Sequence, residues 1–345
     1  MRNRRAEFGL GALLIATCSS YFLTSCGKRL PSTRSTNVKC GESCSSYQHS
    51  DPLPDQPPQG VIRIAIGGDS RDDKSHVVPW AFKEAKSRGA KAFFFLGDLE
   101  LTSAIDKHFL PQLADLADIA FYPAVGNHEV ETFGIVRLPT SESLLKVRRF
   151  KEEFLTGAGV NLAPLADTVV YSVDLAGGIH LIALDNVSRK GEGFGAAQLA
   201  WLEQDLKAAR AAKKIMLVGM HKGLANNPVT AHAMDEDGVG AVNDSEAALA
   251  LFRSYGVAMV FVSHSHMYAA YSQGESGPQV RLTGGMGAPL VKGLAEADGG
   301  FHHFLLVDVS PSNSKAPVLV QVVKFPCRPP CTPSRSDIDE SQEID

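Results

Sequence analysis

A polar cluster, Gly126-Asn127-His128-Glu129, follows a short apolar run that is typical of the end of a buried strand. Ligands of open α/β sheets bind at the carboxyl ends of strands, and Gly126 would let the backbone turn sharply there. An amide oxygen, an imidazole and a carboxylate at such a turn could bind a metal ion or a phosphate. Alternatively, Asn127 could cap the following helix and His128 could be a surface histidine. The choice between a ligand site and a helix cap depends on the other motifs of the chain.

Metal-binding residue types also follow most of the other apolar runs. Two glycine–aspartate pairs end in Asp69 and Asp98, and later runs lead into His221 and into the pair His264 and His266. Because these positions are all strand ends, we expect them on one edge of the fold. With Asn127 the set has six ligands, too many for one tetrahedral zinc, and its oxygen and nitrogen atoms suit Zn, Mn or Fe. Two ions about 3.5–4 Å apart, sharing a carboxylate, would use the whole set and would promote phosphoester hydrolysis.

The elements that must position these residues alternate between apolar strands and amphipathic helices from about residue 60 to residue 325. Strands are predicted at residues 61–66, 92–96, 121–125, 169–173, 179–184, 215–218, 257–262, 279–283, 304–309 and 318–323. Helices are predicted through Trp80, Phe82 and Ala85 and at residues 109–119, 196–211 and 244–255. The order of elements favours parallel β-α-β units first and an antiparallel meander towards the end.

Taken in order, these motifs resemble those of the calcineurin-like metallophosphoesterase superfamily. The resemblance covers about residues 61–323, and segments 198–206, 218–221 and 283–285 are similar to the purple-acid-phosphatase-like branch. It implies an α/β fold, a four-layer α-β-β-α sandwich with mixed sheets. It also implies a metal-dependent hydrolase, a phosphatase or phosphodiesterase, that uses a dinuclear site and metal-bound hydroxide on a phosphorylated small molecule or another phosphoester.

The resemblance further implies a role for each motif residue. Asp98 would bridge two divalent or trivalent ions of Fe, Mn or Zn. The other ligands would be Asp69 and His266 for one ion, and Asn127, His221 and His264 for the second ion. His128 would contact the phosphate or protonate the leaving oxygen. Glu129 would hold His128 in its orientation.

Two positions that could complete the first metal shell depart from the family pattern. Many members have a histidine where this chain has Arg71, and the purple acid phosphatases instead have a tyrosine at the position of Leu101, so both options for completing the first metal shell are missing. Asp72 and His76 are close enough in sequence to supply a ligand, although His76 could equally cap the first helix. Arg71 could bind the substrate phosphate or form a surface salt bridge with a neighbouring aspartate. Ser263 stands where the family usually has glycine.

The alternative function is a non-catalytic or single-metal binding protein on the same scaffold. Loss of a ligand to the first metal would leave one ion or none, but the presence of His128 argues for catalysis. A structural envelope lipoprotein is a third possibility, which leaves the strand-end ligands unexplained. Insertions at residues 132–156 and 223–243 would shape the mouth of the site, and they contain no motif that identifies the substrate. The sequence assigns no role to His180 or His232.

The two ends of the chain differ from this central domain in composition. Three arginines precede an apolar run at residues 8–23, which is typical of an export signal and short for a membrane span. Residues 23–27 resemble the lipobox of bacterial lipoproteins, so we expect a lipid on Cys26 and a location in the periplasm or cell envelope, with a plain secretory signal as the alternative. The expected organisation is a signal peptide at 1–25, a tether at 26–59, a metallophosphoesterase domain at 60–326 and a cysteine-containing acidic tail at 327–345.

Four cysteines flank the domain, Cys40 and Cys44 before it and Cys327 and Cys331 after it. In an exported chain such cysteines favour disulfides over a zinc site, and the pairing stays open. Removal of residues 1–25 leaves 31 basic and 37 acidic residues, a net charge of −6. We therefore expect no nucleic-acid partner, because such partners require a basic surface.

Overall fold

The computed structural model describes residues 53–99, 109–130, 141–189, 191, 193–274, 276–313 and 316–326. The predicted signal peptide, most of the tether, the tail, the five cysteines named above and Leu101 lie outside the described residues. The lipid anchor, the disulfides and the domain boundaries therefore stay predictions. Among the helices that the structure describes, none combines the length and apolarity that a membrane crossing requires.

Two β-sheets form the centre of the domain. The described strands are β1 (Ile62–Gly67), β2 (Ala92–Phe95), β3 (Ala120–Pro123), β4 (Asn161–Leu162), β5 (Tyr171–Leu175), β6 (Ile179–Ala183), β7 (Ile215–Gly219), β8 (Met259–Val262), β9 (Tyr268–Ser272), β10 (Gln279–Thr283), β11 (His303–Val309) and β12 (Val318–Lys324). The first sheet has the order β12-β11-β1-β2-β3, and the second has the order β4-β5-β6-β7-β8-β10-β9. Both sheets are mixed, because β1 to β3 run parallel beside antiparallel β11 and β12, and β6, β7, β8 and β10 run parallel between antiparallel edges.

Helices occupy the connections between the strands. They are α1 (Val77–Ser87), α2 (Asn127–Val130), α3 (Ser141–Phe150), α4 (Gly195–Ala211) and α5 (Val239–Tyr255). The helix predicted at residues 109–119 is a 3-10 helix, Leu110–Leu116, with a proline in its first turn. A second 3-10 helix, Met234–Asp237, lies in the insertion before α5. The sequence did not predict β9 or α3. For α3, the reason is a largely polar sequence that is typical of a surface insertion.

Alternating side chains show how the layers are stacked. In β7, Leu217 belongs to the core between the sheets, whereas Met216 and Val218 belong to a second core with residues of α4 and α5. In β2, the ring of Phe93 packs against Phe82 of α1 at a centroid distance of 5.0 Å. The next ring, Phe94, points the other way, against the glycine that ends β7. Helices therefore cover the outer face of each sheet, and the predicted four-layer sandwich is confirmed.

Backbone hydrogen bonds join the carboxyl ends of several strands at one edge of the sandwich. The amide of Asp69, after β1, donates to the carbonyl of Gly97 after β2 at 3.0 Å. The amide of Ser263, after β8, donates to the carbonyl of His221 after β7 at 2.7 Å. Met286 connects the two sheets, because its amide donates to the carbonyl of Gly68 at 3.1 Å. These bonds fix the loops that carry the predicted ligands.

Candidate metal centre

The six predicted ligands lie together at this edge, in two groups that share Asp98. In the first group, Asp69, Asp98 and His266 offer ligand atoms that all lie within 4.8 Å of one another. In the second group, His221 Nε2 lies 3.4 Å from Asp98 Oδ1 and 3.2 Å from His264 Nδ1. Asn127 Oδ1 is 2.9 Å from the same histidine nitrogen. The arrangement has the shape of a dinuclear site with one shared carboxylate.

The atoms that face one another in this cluster are hydrogen-bond acceptors. His221 Nδ1 donates to the carbonyl of Leu96 at 2.8 Å, and His266 Nδ1 donates to the carbonyl of Pro289 at 2.8 Å, so Nε2 of each ring carries the lone pair. Burial lowers the pKa of both histidines to about 3, which favours the neutral form that binds metals. Lone pairs that converge in this way are arranged as the ligands of a metal ion would be.

Four of the six ligands have backbone conformations that non-glycine residues rarely adopt. The φ angles are 61° at Asp69, 54° at Asp98, 70° at His264 and 37° at His266. Such left-handed conformations are strained, and they persist where the surrounding hydrogen bonds hold the backbone. Here the strain turns the chain at the strand ends and directs four side chains towards one place. Gly126 is needed for the same reason, because a Cβ there would lie 2.2 Å from Asp98 Oδ1.

The carboxylate of Asp69 shows that the residues fit a cation. Its Oδ2 accepts a hydrogen bond of 2.6 Å from Ser263 Oγ, whereas Oδ1 is buried and has no hydrogen-bond partner among the described residues. Burial, and then the negative charge of Asp98, raise the pKa of Asp69 well above its ordinary value. A buried carboxylate oxygen without a partner is costly, and a metal ion between Asp69 Oδ1 and His266 Nε2, which are 4.0 Å apart, would remove that cost.

Glu129 has a role that the sequence did not predict, because it binds the backbone of the neighbouring loops. Its Oε2 accepts from the amides of Asp98 and Gly126, each at 2.8 Å, and Oε1 accepts from Leu99 at 2.9 Å. Burial and the charge of Asp98 raise its pKa to about 8, and the backbone donors oppose this shift. Glu129 thus holds the loops after β2 and β3 together, and with them Asp98. That it also orients His128 stays a prediction.

His128 lies at the edge of the cluster and contacts Arg71. Arg71 Nη2 donates to His128 Nε2, and the same histidine nitrogen is 3.7 Å from Asp98 Oδ2. Arg71 Nε is buried and has no hydrogen-bond partner within the described ranges. The structure thus brings together all nine residues predicted for the site. It places Arg71 beside His128 rather than in the salt bridge with a neighbouring aspartate that was the other possibility.

The residues suggested for completing the first metal shell lie elsewhere. Asp72 is exposed and pairs with Lys74 at 3.3 Å, and His76 is exposed at the start of α1. The side chain that caps α1 is Asp73, which accepts from Val77 and Val78. An ion at the first position would therefore have three protein ligands within the described residues, and catalytic metal sites generally keep an open position for water or substrate.

Sequence reasoning missed several residues that support the ligands. Ser263 was noted only as a departure from glycine, whereas its hydroxyl fixes Asp69. Glu236, in the 3-10 helix Met234–Asp237, contacts His264, and Lys222 contacts Glu236. A lysine directly after His221 and three consecutive acidic residues at 235–237 were the available signals. They could be interpreted only once the fold had brought them together.

Comparison with known proteins assigns the chain to a family. The family model of the calcineurin-like phosphoesterases matches residues 62–268, more than half of the chain. The chain belongs to the calcineurin-like phosphoesterase family. The predicted family is confirmed, and with it the enzyme class, hydrolysis of phosphoester bonds. No curated protein sequence matches the chain significantly.

Several solved structures share the fold of this chain at low sequence identity. A purple acid phosphatase from yellow lupin (Lupinus luteus) seeds has a TM-score of 0.54 and 16% identity, over 78% of this chain and 55% of that one. PhoD has a TM-score of 0.53 and 13% identity, over 79% of this chain and 70% of that one. GAP50, the anchor in the inner membrane complex of Plasmodium, has a TM-score of 0.51 and 12% identity, over 77% of this chain and 85% of that one. The match thus spans about half of the lupin enzyme, and these likenesses show the fold alone.

Proposed function

We propose that this calcineurin-like phosphoesterase hydrolyses phosphoesters at a dinuclear metal site. Asp98 would be shared by two ions. The other ligands would be Asp69 and His266 for the first ion, and Asn127, His221 and His264 for the second. When bound, such a pair lowers the pKa of a coordinated water to near neutrality and offsets the charge that develops on the phosphoryl oxygens.

The converging acceptors around His221 Nε2 carry the proposal. An asparagine oxygen, a carboxylate oxygen and a second imidazole nitrogen lie 2.9, 3.4 and 3.2 Å from this atom, and its own lone pair points among them. Neighbouring acceptors without a donor repel one another, so a cation between them would stabilise the arrangement. The oxygen and nitrogen mixture favours Zn, Mn or Fe, which are the ions we propose for the site.

Arg71 and His128 would act on the substrate rather than on the ions. The guanidinium Nε of Arg71 is buried and has no partner in the described part of the chain, so a phosphoryl oxygen would satisfy it in a forked, charge-assisted contact. In the structure, Arg71 donates to His128 Nε2. Transfer of Arg71 to the phosphate would release that contact, and His128 Nε2 could then hold the proton that the leaving oxygen requires.

Hydrolysis of a chromogenic phosphate monoester and a matched diester by the full chain tests the proposal. The protein is stripped by a chelator and then supplied with Mn, Zn or Fe. We expect turnover to return with metal and to be lost in Asp98→Asn, which keeps the size of the side chain and removes its charge. A folded protein that binds at most one ion and turns over neither ester would favour the alternative, a binding protein on the same scaffold.

Attachment to the cell envelope through a lipid on Cys26 remains part of the proposal, together with disulfides among the four flanking cysteines. Both depend on segments outside the described residues. Labelling with a radioactive fatty acid during expression, in the native chain and in Cys26→Ala, tests the anchor. Label in the native chain that is lost in the variant would support it, and an unlabelled native chain would contradict it.

A further inference from the structure

We infer that Glu236 is a positioning residue for the second metal ion, acting through the ligand His264. The inference rests on the proposed metal centre and extends it to the insertion at residues 223–243. Glu236 is not part of any of the sequence motifs described above. Its carboxylate contacts His264, Lys222 and His232, and these three contacts support the role.

The first contact determines which nitrogen of His264 faces the metal position. His264 Nε2 lies 3.0 Å from Glu236 Oε1, and because a carboxylate accepts, this nitrogen carries the proton. The lone pair is therefore on Nδ1, which lies 3.2 Å from His221 Nε2 inside the acceptor cluster. A carboxylate that holds the outer nitrogen of a ligating histidine fixes its tautomer and its ring orientation, and it makes the inner nitrogen a better donor to the metal.

A buried lysine anchors Glu236 to the strand end that carries another ligand. Lys222 Nζ lies 2.8 Å from Glu236 Oε1 and 2.8 Å from Asp237 Oδ2, and the lysine side chain is only 4% exposed. Lys222 directly follows His221, and its backbone is held on both sides by Asn186, with bonds of 2.7 and 3.1 Å. Glu236 itself is partly exposed, with 30% of its side chain accessible, but its buried lysine partner directly follows His221. The orientation of His264 is thereby tied to the position of His221.

The same cluster could be mistaken for a third metal site. His232, Glu236 and His264 offer ligand atoms within 4.8 Å of one another. The carboxylate, however, already has a lysine ammonium at 2.8 Å and His232 Nδ1 at 3.4 Å. A cation placed there would be repelled by the ammonium group, and His264 Nε2 would have to give up its proton. The contacts therefore match a support for the metal centre better than an additional ion.

Metal affinity is the measurement that tests this role. In the full chain, Glu236→Ala should weaken one of the two ions about 10- to 100-fold in a competition with a chromophoric chelator, and should leave the other ion nearly unchanged. Glu236→Gln keeps the size and one acceptor oxygen, so it should fall between the native chain and the alanine variant. In the cobalt-loaded protein, the visible absorption bands should shift in Glu236→Ala, since the donor strength of His264 changes.

Asp235→Ala is the matched control, because Asp235 lies in the same 3-10 helix, is exposed and carries the same charge. It should bind both ions as the native chain does. If Glu236→Ala fails to fold, the comparison rests on Glu236→Gln. Native affinity and an unshifted cobalt spectrum in folded Glu236 variants would overturn the inference while the metal centre stands. A native chain that binds no ion would instead overturn the metal centre itself, and the inference with it.

Discussion

Replacing Glu129 by alanine separates the role seen in the structure from the role predicted from the sequence. The change removes the acceptor of three buried backbone amides, those of Asp98, Leu99 and Gly126. Each buried donor left without a partner costs about 1–3 kcal/mol. Two effects offset part of the total cost of the three unpaired amides: water can enter the cavity that the side chain leaves, and the cost of burying a carboxylate is removed. We expect a net loss of about 3 kcal/mol in the free energy of unfolding, or about 6–12 °C in the melting temperature.

The metal-free protein is the right sample for this assay, because bound ions would add stability of their own. In Glu129→Gln, an amide oxygen facing Asp98 and Gly126 keeps two of the three bonds, so the loss should be about half as large. The alanine variant should also bind metal about 10- to 100-fold more weakly, since the loop that carries Asp98 is released. A variant with native melting temperature and native metal affinity but reduced turnover would refute this reasoning and restore the role of orienting His128.

Three further perturbations follow from contacts at the site and beside it. Ser263→Ala removes the hydroxyl that fixes Asp69 and should weaken one ion about tenfold in a chelator competition; native affinity would contradict this. Arg71→Ala should weaken competitive inhibition by inorganic phosphate, and Arg71→Lys should restore it only in part. Equal inhibition of the native chain and both variants would show that Arg71 does not bind the substrate phosphate. Burial opposes the charged form of His180, but hydrogen bonds to Asp205 and Asp174 outweigh burial and raise the pKa of this histidine. The protonated histidine therefore stabilises the fold fully at pH values below the pKa in the unfolded chain. This stabilisation is lost as the pH rises through the pKa in the folded protein. His180→Gln should therefore lower the melting temperature more at about pH 6 than at about pH 9, and an equal loss at both would contradict the assignment.

The periodicity of the sequence was sufficient to predict most of the sheet. β10 (Gln279–Thr283) has the same bounds as the predicted strand, and the predicted ends of β2 and β7 are each one residue from the observed ends. β2 and β7 are buried and continuously apolar, whereas β10 alternates between polar and apolar residues. The insertions were harder, because α3 and the 3-10 helix Met234–Asp237 are amphipathic or acidic segments whose structure depends on what they pack against.

The ligands could be predicted because their residue types recur at strand ends, and the family resemblance supplied their order. Their supports could not be predicted in the same way. The contact between Glu236 and His264 joins residues 28 positions apart, and the one between Ser263 and Asp69 joins residues 194 apart. The positive φ angles at Asp69 and Asp98 also leave no signal in residue type, since glycine would be the expected residue there. Tertiary structure alone brings such partners together.

Anomalous diffraction from crystals of the protein soaked in Mn²⁺ tests the central claim most directly. We predict two manganese peaks separated by about 3.5–4 Å, one on each side of the Asp98 carboxylate. One peak should lie beside Asp69 Oδ1 and His266 Nε2, and the other beside His221 Nε2 and His264 Nδ1. A single peak, no peak, or a peak between His232 and Glu236 in a folded crystal would contradict the dinuclear site.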